Sequence, residues 1–143
     1  MANLAILIVE DHPGVLDSIE RMVEQWPHVD VYSAEGFIAA AIRIHAMNHL
    51  DLLLSDVYFP GEMNGIDVAD LAVKTHPEVA IVLFSGDRRA DISGMRDKYE
   101  FMQKPFDREQ LTVHIDNAFS KLRTSAEWLL KLSAQEAPVV GST

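Results

Sequence analysis

The sequence predicts an α/β fold: a doubly wound, five-stranded parallel sheet covered by five helices. Short apolar runs recur at residues 4–9, 29–32, 52–54, 79–84 and 99–102. Nearly continuous apolarity over such lengths is typical of strands that are buried on both faces of a parallel sheet. Stretches with helical spacing separate and follow these runs, and this alternation implies right-handed crossover connections.

The first two predicted helices have clear apolar faces. The first carries apolar residues between Val15 and Trp26, begins near Asp11 or His12, and ends at Pro27. The second covers residues 37–45. Apolar residues three and four positions apart form one helix face, so each of these segments is expected to pack against the sheet.

The remaining three helices differ in the strength of their patterns. The third covers residues 66–73 and is expected to be capped by Asn64, because asparagine is a preferred N-cap residue. The fourth, over residues 88–96, is short and poorly patterned. The fifth covers residues 111–122 and is opened by Asp107 as its N-cap.

Composition limits the classes of function. The 143 residues, of which 48% are hydrophobic, are enough for one domain with its own core. The absence of cysteine excludes a disulfide scaffold and thiol chemistry, and fits a reducing, cytoplasmic location. A net charge of −10 argues against nucleic acid as a partner, and no membrane segment is expected, because Glu10 and Asp11 interrupt the first apolar run.

Polar groups follow the strands where each one ends. They are Glu10-Asp11, Asp56, Ser85-Gly86 and Lys104-Pro105. The carboxyl ends of parallel strands meet at one edge of a sheet, and carboxylates gathered there repel one another unless they share a hard cation such as Mg²⁺. A hydroxyl and an ammonium nearby suit phosphoryl oxygens, and a carboxylate can act as a nucleophile.

These fragments, in this order, resemble the receiver domain of two-component response regulators. The resemblance extends from residue 4 to about residue 123 and implies a flavodoxin-like sheet with strand order 2-1-3-4-5. It implies that Asp56 is the phospho-acceptor, which attacks the phosphohistidine of a partner kinase. It also implies that Lys104 pairs with Asp56 and then with the phosphoryl group, while the Ser85 hydroxyl turns toward a phosphoryl oxygen.

The resemblance further implies a metal site and a switch. Mg²⁺, with Mn²⁺ as a substitute, is expected to bind Asp11 directly and Glu10 through water, with Asp56 and the backbone carbonyl of Tyr58 as further ligands. Phe101 occupies the position of the aromatic ring that swings inward after the serine moves.

The resemblance also makes predictions for three further positions near this site. The bond to Pro105 is expected to be cis. The side chains of Tyr58 and Asp87 occupy the two positions that tune the lifetime of the phosphoryl group.

The resemblance implies a stand-alone switch that is not an enzyme, because it catalyses only its own phosphoryl transfer and autodephosphorylation. Its expected partners are a sensor histidine kinase or phosphotransfer protein, and a downstream protein. Residues 1–123 are expected to form the receiver, and 124–143 a helical extension with a frayed end and no output domain. A homodimer through the region of the fourth and fifth helices, or through the segment 124–143, is a further candidate interaction.

Two alternatives stay open. One is a Mg²⁺-dependent phosphohydrolase with an aspartyl nucleophile, of the haloacid dehalogenase kind. That family places a second aspartate two residues after the nucleophile, where this chain has Tyr58. The other is a pseudo-receiver that binds partners without being phosphorylated.

Overall fold

The computed structural model describes residues 3–123 as one sheet with helices on both faces. The strands are β1 (Leu4–Val9), β2 (Val29–Ala34), β3 (Leu52–Asp56), β4 (Ala80–Ser85) and β5 (Glu100–Gln103). The helices are α1 (Pro13–Glu24), α2 (Phe37–Ala46), α3 (Gly65–Thr75) and α4 (Arg108–Arg123). Residues 124–143, for which a helical extension is predicted, lie outside the described part of the chain.

The five strands form a parallel sheet in the order β2-β1-β3-β4-β5. This confirms the predicted fold class and strand order. Every predicted strand is present, with ends that differ by no more than two residues. Strands β3 and β4 are buried along their whole length, as their apolar runs over residues 52–54 and 80–84 indicate.

The sheet separates two apolar clusters. One face carries α2 and α3, whose buried side chains pack beside Leu7 and Leu53. The other carries α1 and α4, which pack against Ile6 and Leu54. Successive residues of a strand point to opposite faces, so both clusters draw on the same strands. Coverage on both faces leaves the carboxyl edge of the sheet as the place where polar side chains can gather.

The predicted number of helices is wrong, because the connection between β4 and β5 forms no full helix. Five helices are expected, yet the described residues form four, and a single 3₁₀ turn (Arg89–Asp91) stands where a helix over 88–96 is predicted. The connection lacks an apolar face of helical period, and Gly94 adopts a positive φ of 82°, which ends helical propagation. Helix α4 is therefore the helix predicted as the fifth.

Side-chain caps fix the starts of the helices close to the predicted residues. The His12 ring accepts a hydrogen bond from the backbone N–H of Val15, so His12, one of the two predicted residues, caps α1. The Asn64 side chain accepts from the Ile66 and Asp67 backbones and forms a capping box with Asp67. Asp107 and Gln110 exchange reciprocal hydrogen bonds at the start of α4, as predicted for Asp107.

No helix within residues 3–123 is both long and apolar enough to cross a bilayer.

The start of α3 lies against the backbone of Asp56. The Gly65 N–H donates to the Val57 carbonyl at 2.7 Å. A Cβ atom added at Gly65 would lie 1.9 Å from the Asp56 carbonyl oxygen and 2.9 Å from the Val57 Cα. Both neighbours are backbone atoms, so only glycine allows this approach.

We expect Gly65→Ala to lower the free energy of unfolding by about 2–4 kcal/mol, because the backbone must shift to relieve the overlap. Urea denaturation measures this change. Gly86→Ala is the matched control, since a Cβ atom there meets no atom within 4 Å. Equal stability of the two variants would contradict the role assigned to Gly65.

Candidate functional site

Strand register brings the predicted polar residues to one edge of the sheet. Val9 pairs with Ser55, which places Glu10 beside Asp56 just beyond the ladder. Asp56 pairs with Phe84, and Ser85 pairs with Gln103. Lys104 therefore follows β5 at the same level at which Ser85 ends β4. Residues separated by up to 94 positions in the chain become neighbours through this alignment.

Three carboxylates form the acidic side of the site. One carboxylate oxygen from each of Glu10, Asp11 and Asp56 lies within 4.8 Å of the others. Glu10 is 1% exposed and Asp56 is 7% exposed, whereas Asp11 is open to solvent. Hard oxygen ligands at this separation suit a divalent cation such as Mg²⁺, so the donor set fits the predicted metal.

Lys104 supplies the opposing charge. Its Nζ donates to Asp56 Oδ2 at 2.9 Å and to Glu10 Oε1 at 3.2 Å. The ammonium also lies 5.3 Å from the centre of the Phe84 ring, within cation–π range. The structure thus confirms that Lys104 pairs with Asp56, and it adds Glu10 as a second partner.

Backbone N–H groups hold the remaining carboxylate oxygens of the two buried acids. Tyr58 N–H donates to Asp56 Oδ1 at 3.1 Å, and His12 N–H donates to Glu10 Oε2 at 3.0 Å. Both oxygens of Asp56 are therefore engaged, one by the chain that follows it and the other by Lys104. These contacts fix the direction in which Asp56 faces the edge of the sheet.

Ser85 lies on the far side of the site from the acidic pair. Its hydroxyl oxygen accepts from the Asp87 N–H at 3.1 Å, and its carbonyl accepts from the Lys104 N–H at 2.8 Å. The second contact ties the start of the Lys104-Pro105 turn to β4. The Lys104-Pro105 peptide bond is cis, as predicted.

Burial and charge shift two pKa values in the site. Desolvation raises the pKa of Glu10 above its ordinary value of 4.5, the hydrogen bond from His12 opposes that change, and the nearby Asp56 charge adds to it. Burial alone would lower the pKa of Lys104. Hydrogen bonds and attraction from Asp56 and Glu10 outweigh burial, so the pKa of Lys104 is raised and the ammonium stays charged.

The other three predicted residues surround this centre. Tyr58 is about half exposed next to Asp56, and the exposed Asp87 follows Ser85 by two residues. Phe101 pairs with Leu83 in the sheet and is partly buried against the cluster that contains α2 and α3. Its role as an aromatic switch stays a prediction.

Sequence reasoning missed a clamp between α3 and the β4–β5 connection. Arg96 donates two hydrogen bonds to the Asp70 carboxylate, at 2.6 Å and 3.3 Å, and the buried Tyr99 hydroxyl donates to it at 2.6 Å. Burial opposes ionisation of Asp70, but these donors outweigh it and lower the pKa of Asp70. Arg96 and Asp70 lie 26 positions apart in the sequence, so no local pattern signals this bidentate pair.

A second missed group holds α4 against β5. Glu100 is buried, which would raise its pKa, but hydrogen bonds from α4 outweigh burial and lower it. The donors on α4 are His114, Asn117 and Lys121. Their spacing of three and four residues places them on one helix face, which was the only available signal in the sequence.

Comparison with known families identifies this arrangement. Residues 6–116 match the model of the response regulator receiver domain, which covers most of the chain. The chain belongs to the response regulator receiver family. Receiver domains are signalling switches that interact with histidine kinases or phosphotransfer proteins, and in general they bind Mg²⁺.

Individual relatives agree with this assignment. The receiver is 29% identical over 128 residues to the nitrogen assimilation regulatory protein NtrX of Azorhizobium caulinodans, covering 85% of this chain and 27% of that protein. It is 28% identical over 118 residues to the transcriptional regulatory protein MalR of Bacillus subtilis, covering 78% of this chain and 48% of MalR. The chain thus spans less than half the length of these curated relatives.

A solved structure has the same fold. A response regulator receiver protein from Sinorhizobium medicae superposes with a TM-score of 0.73 at 21% identity, covering 84% of this chain and 97% of that one. This likeness supports the sheet order and the helix placement described above.

We expect Glu10→Gln to stabilise the metal-free receiver increasingly as the pH rises above about 4.5. The pKa of Glu10 is higher in the folded state than in the unfolded chain. The stabilising contribution of protonated Glu10 is therefore fully present below the unfolded-state pKa and is lost as the pH rises through the folded-state pKa. Thermal melts in a chelator across this range measure the difference between variant and wild type. Glu62→Gln, at an exposed loop position, is the control. A difference that does not change with pH would contradict the raised pKa.

Proposed function

We propose that this receiver is a phosphorylatable switch in which Asp56 accepts a phosphoryl group from a phosphohistidine. The observation that carries the proposal is the position of the Asp56 carboxylate. It lies between the acidic pair Glu10-Asp11 and the Lys104 ammonium, 2.9 Å from Lys104 Nζ, with Ser85 ending the next strand. This set supplies a nucleophile and donors for the transferred group.

The transfer step follows from these contacts. A carboxylate oxygen of Asp56 forms the new bond to phosphorus while the bond from phosphorus to the partner's imidazole nitrogen breaks. The imidazole leaves with its electron pair, and Asp56 becomes an acyl phosphate. Lys104, whose raised pKa keeps it charged, moves from Asp56 Oδ2 to a phosphoryl oxygen. The Ser85 hydroxyl donates to another phosphoryl oxygen.

Glu10, Asp11, Asp56 and the Tyr58 carbonyl would hold Mg²⁺, with Mn²⁺ as a substitute. When bound, the cation neutralises negative charge on the carboxylates and on the incoming phosphoryl oxygens. The donor chemistry supports this assignment, because Lys104 offsets only one of three neighbouring negative charges.

The switch begins at Ser85. In the structure its hydroxyl oxygen accepts from the Asp87 N–H and needs only to reorient to reach a phosphoryl oxygen. We expect this movement to open space for the partly buried Phe101 ring. Converting a mostly inactive population to a mostly active one takes about 5 kcal/mol, and charge-assisted hydrogen bonds of about 1.5–3 kcal/mol each supply it.

The proposed output is a changed docking surface on β5, α4 and the β4–β5 connection. A sensor histidine kinase or phosphotransfer protein is the proposed donor, and a downstream protein reads the surface. Tyr58 and Asp87 flank the site and would tune autodephosphorylation. The proposed location is the cytoplasm, because the chain has no cysteine, is acidic and would receive its phosphoryl group from such a donor.

Homodimerisation through the segment 124–143 stays a prediction, because that segment lies outside the described residues. The predicted route through the fourth and fifth helices is modified by the 3₁₀ turn, which leaves α4 and the connection as its surface.

Incubation with Mg²⁺ and acetyl phosphate should add one phosphoryl group to the wild-type chain, and Asp56→Asn should abolish the addition while the fold is kept. Asparagine lacks the anionic oxygen that attacks phosphorus. Intact-protein mass spectrometry measures the adduct, and peptide mapping after borohydride trapping locates it. Asp116→Asn, an exposed acid on α4, should label like the wild type.

Each other outcome of that experiment has a clear meaning. No adduct on the wild-type chain from acetyl phosphate or beryllofluoride would indicate a pseudo-receiver. Continuous phosphate release from added phosphate esters, lost in Asp56→Asn, would indicate a phosphohydrolase. Labelling that persists in Asp56→Asn would place the acceptor elsewhere.

Mg²⁺ should raise the thermal stability of the receiver, because it relieves repulsion among the carboxylates of the folded state. At ten times the dissociation constant the gain is about 1.4 kcal/mol. Differential scanning fluorimetry over a Mg²⁺ titration measures it. Asp11→Asn should reduce the gain and Asp116→Asn should not, whereas an equal response in both variants would contradict the site.

A further inference from the structure

The connection between β4 and β5 buries little of its own surface. Among residues 86–98, Ile92 is the only buried side chain. The regular structure of this segment is one 3₁₀ turn, and the Arg88–Asp91 ion pair beside that turn is exposed. A segment with few buried apolar contacts and exposed hydrogen bonds has a low local free energy of unfolding. Contacts with neighbouring elements are therefore needed to hold the connection in one arrangement.

The Asp70 clamp supplies such contacts at the carboxyl-terminal end of the connection. Arg96 Nη2 and the Tyr99 hydroxyl each donate to the Asp70 carboxylate at 2.6 Å, and the Tyr99 ring is buried. Charge-assisted, bidentate pairs of this kind are among the strong hydrogen bonds of proteins. Asp70 lies on α3, and Gly65 at the start of α3 packs against the Asp56 backbone. The end of the connection is therefore fixed relative to the proposed phospho-acceptor.

The strands on either side of the connection are also fixed. Buried Glu100 accepts hydrogen bonds from side chains of α4, so β5 is held to that helix. At the other end, the Ser85 carbonyl accepts from the backbone N–H of the residue that follows β5, at 2.8 Å. Between these ties the buried side chain is that of Ile92, whose apolar contacts have no fixed direction. Residues 86–95 are therefore less restrained than residues 96–99.

We propose that Asp70 is a positioning residue for the phosphoryl switch, an inference that rests on the proposed function. By fixing residues 96–99 to α3, Asp70 confines the rearrangement that begins at Ser85 to residues 86–95. The change then produces a second arrangement of that segment and does not spread into the backbone of β5. A partner responds only to contacts that differ between the two states. Residues 86–95 are therefore the backbone that such a partner reads, which narrows the docking surface proposed above.

Hydrogen exchange followed by mass spectrometry on the full chain tests the proposal, with Mg²⁺ and beryllofluoride standing in for the phosphoryl group. Three backbone N–H groups report on the connection: those of Asp91 and Ile92 in the 3₁₀ turn, and that of Tyr99, which donates to the Arg96 carbonyl at 3.1 Å. In the wild type, beryllofluoride should change exchange at Asp91 and Ile92 and leave exchange at Tyr99 unchanged. Fluorine NMR measures the binding of beryllofluoride separately.

Asp70→Asn should release the end of the connection. Without beryllofluoride, exchange at Tyr99 should rise at least about tenfold, because charge-assisted hydrogen bonds are lost. With beryllofluoride bound, the change in exchange should extend from residues 86–95 through residues 96–99, while binding itself is retained. Tyr99→Phe keeps the ring and should produce a smaller effect in the same residues. Exchange in β1 and β3 should match the wild type in both variants, which excludes a general loss of the fold.

Asp17→Asn is the matched control, because it removes an exposed aspartate–arginine pair from α1, on the other face of the sheet. It should exchange like the wild type in both states.

Two results would overturn the proposal. One is a change caused by beryllofluoride that already extends through Tyr99 in the wild type. The other is an Asp70→Asn chain whose exchange over residues 96–99 equals that of the wild type in both states. A wild-type chain that binds no beryllofluoride would contradict the proposed function instead, and exchange in the resting state of Asp70→Asn would still decide whether the clamp fixes residues 96–99.

Discussion

The gathering of three carboxylates against one ammonium is the constraint on which this receiver depends. Glu10 and Asp56 are buried, so water cannot offset their mutual repulsion, and Lys104 neutralises only part of it. The charges stay together despite this repulsion because the register of β1, β3 and β5 places them at one edge of the sheet. The apolar clusters on both faces stabilise that register. The remaining negative charge makes the edge of the sheet suited to a cation. In the proposed switch, a phosphoryl group on Asp56 would draw Lys104 and Ser85 to new partners.

In the proposed switch, the β4–β5 connection, which contains a 3₁₀ turn in place of the predicted helix, determines how such a change would spread. Ser85 begins this connection, and the Asp70 clamp with Arg96 and Tyr99 anchors its far end to α3. Glu100, immediately after the anchored end, is held to α4. In the proposed switch, a displacement that begins at Ser85 would be absorbed between Ser85 and the anchored Arg96. This segment contains the 3₁₀ turn but no full helix. Because α4 and the connection are both tied to β5, these three elements form the proposed docking surface.

Several residues show how far sequence reasoning reached. Asn64 and Asp107 were predictable as helix caps because capping depends on residues within one turn. The fourth helix was predicted wrongly because the alternation of the fold suggested a helix where the local pattern was weak, and Gly94 and the clamp favoured a turn. The close packing of Gly65 was not predictable from the sequence, since its contact with the Asp56 backbone depends on how α3 approaches β3.

The sequence by itself determined the fold class, the strand order through its family resemblance, and the identity of the polar residues at the carboxyl edge of the sheet. Apolar period and local capping are encoded over a few neighbouring residues, so they can be read without coordinates. Only the tertiary structure decided that Lys104 contacts Glu10 as well as Asp56, and that Asp70 anchors the β4–β5 connection. Those features depend on distances between segments far apart in the chain, which the packing of helices on the sheet sets and no local pattern records.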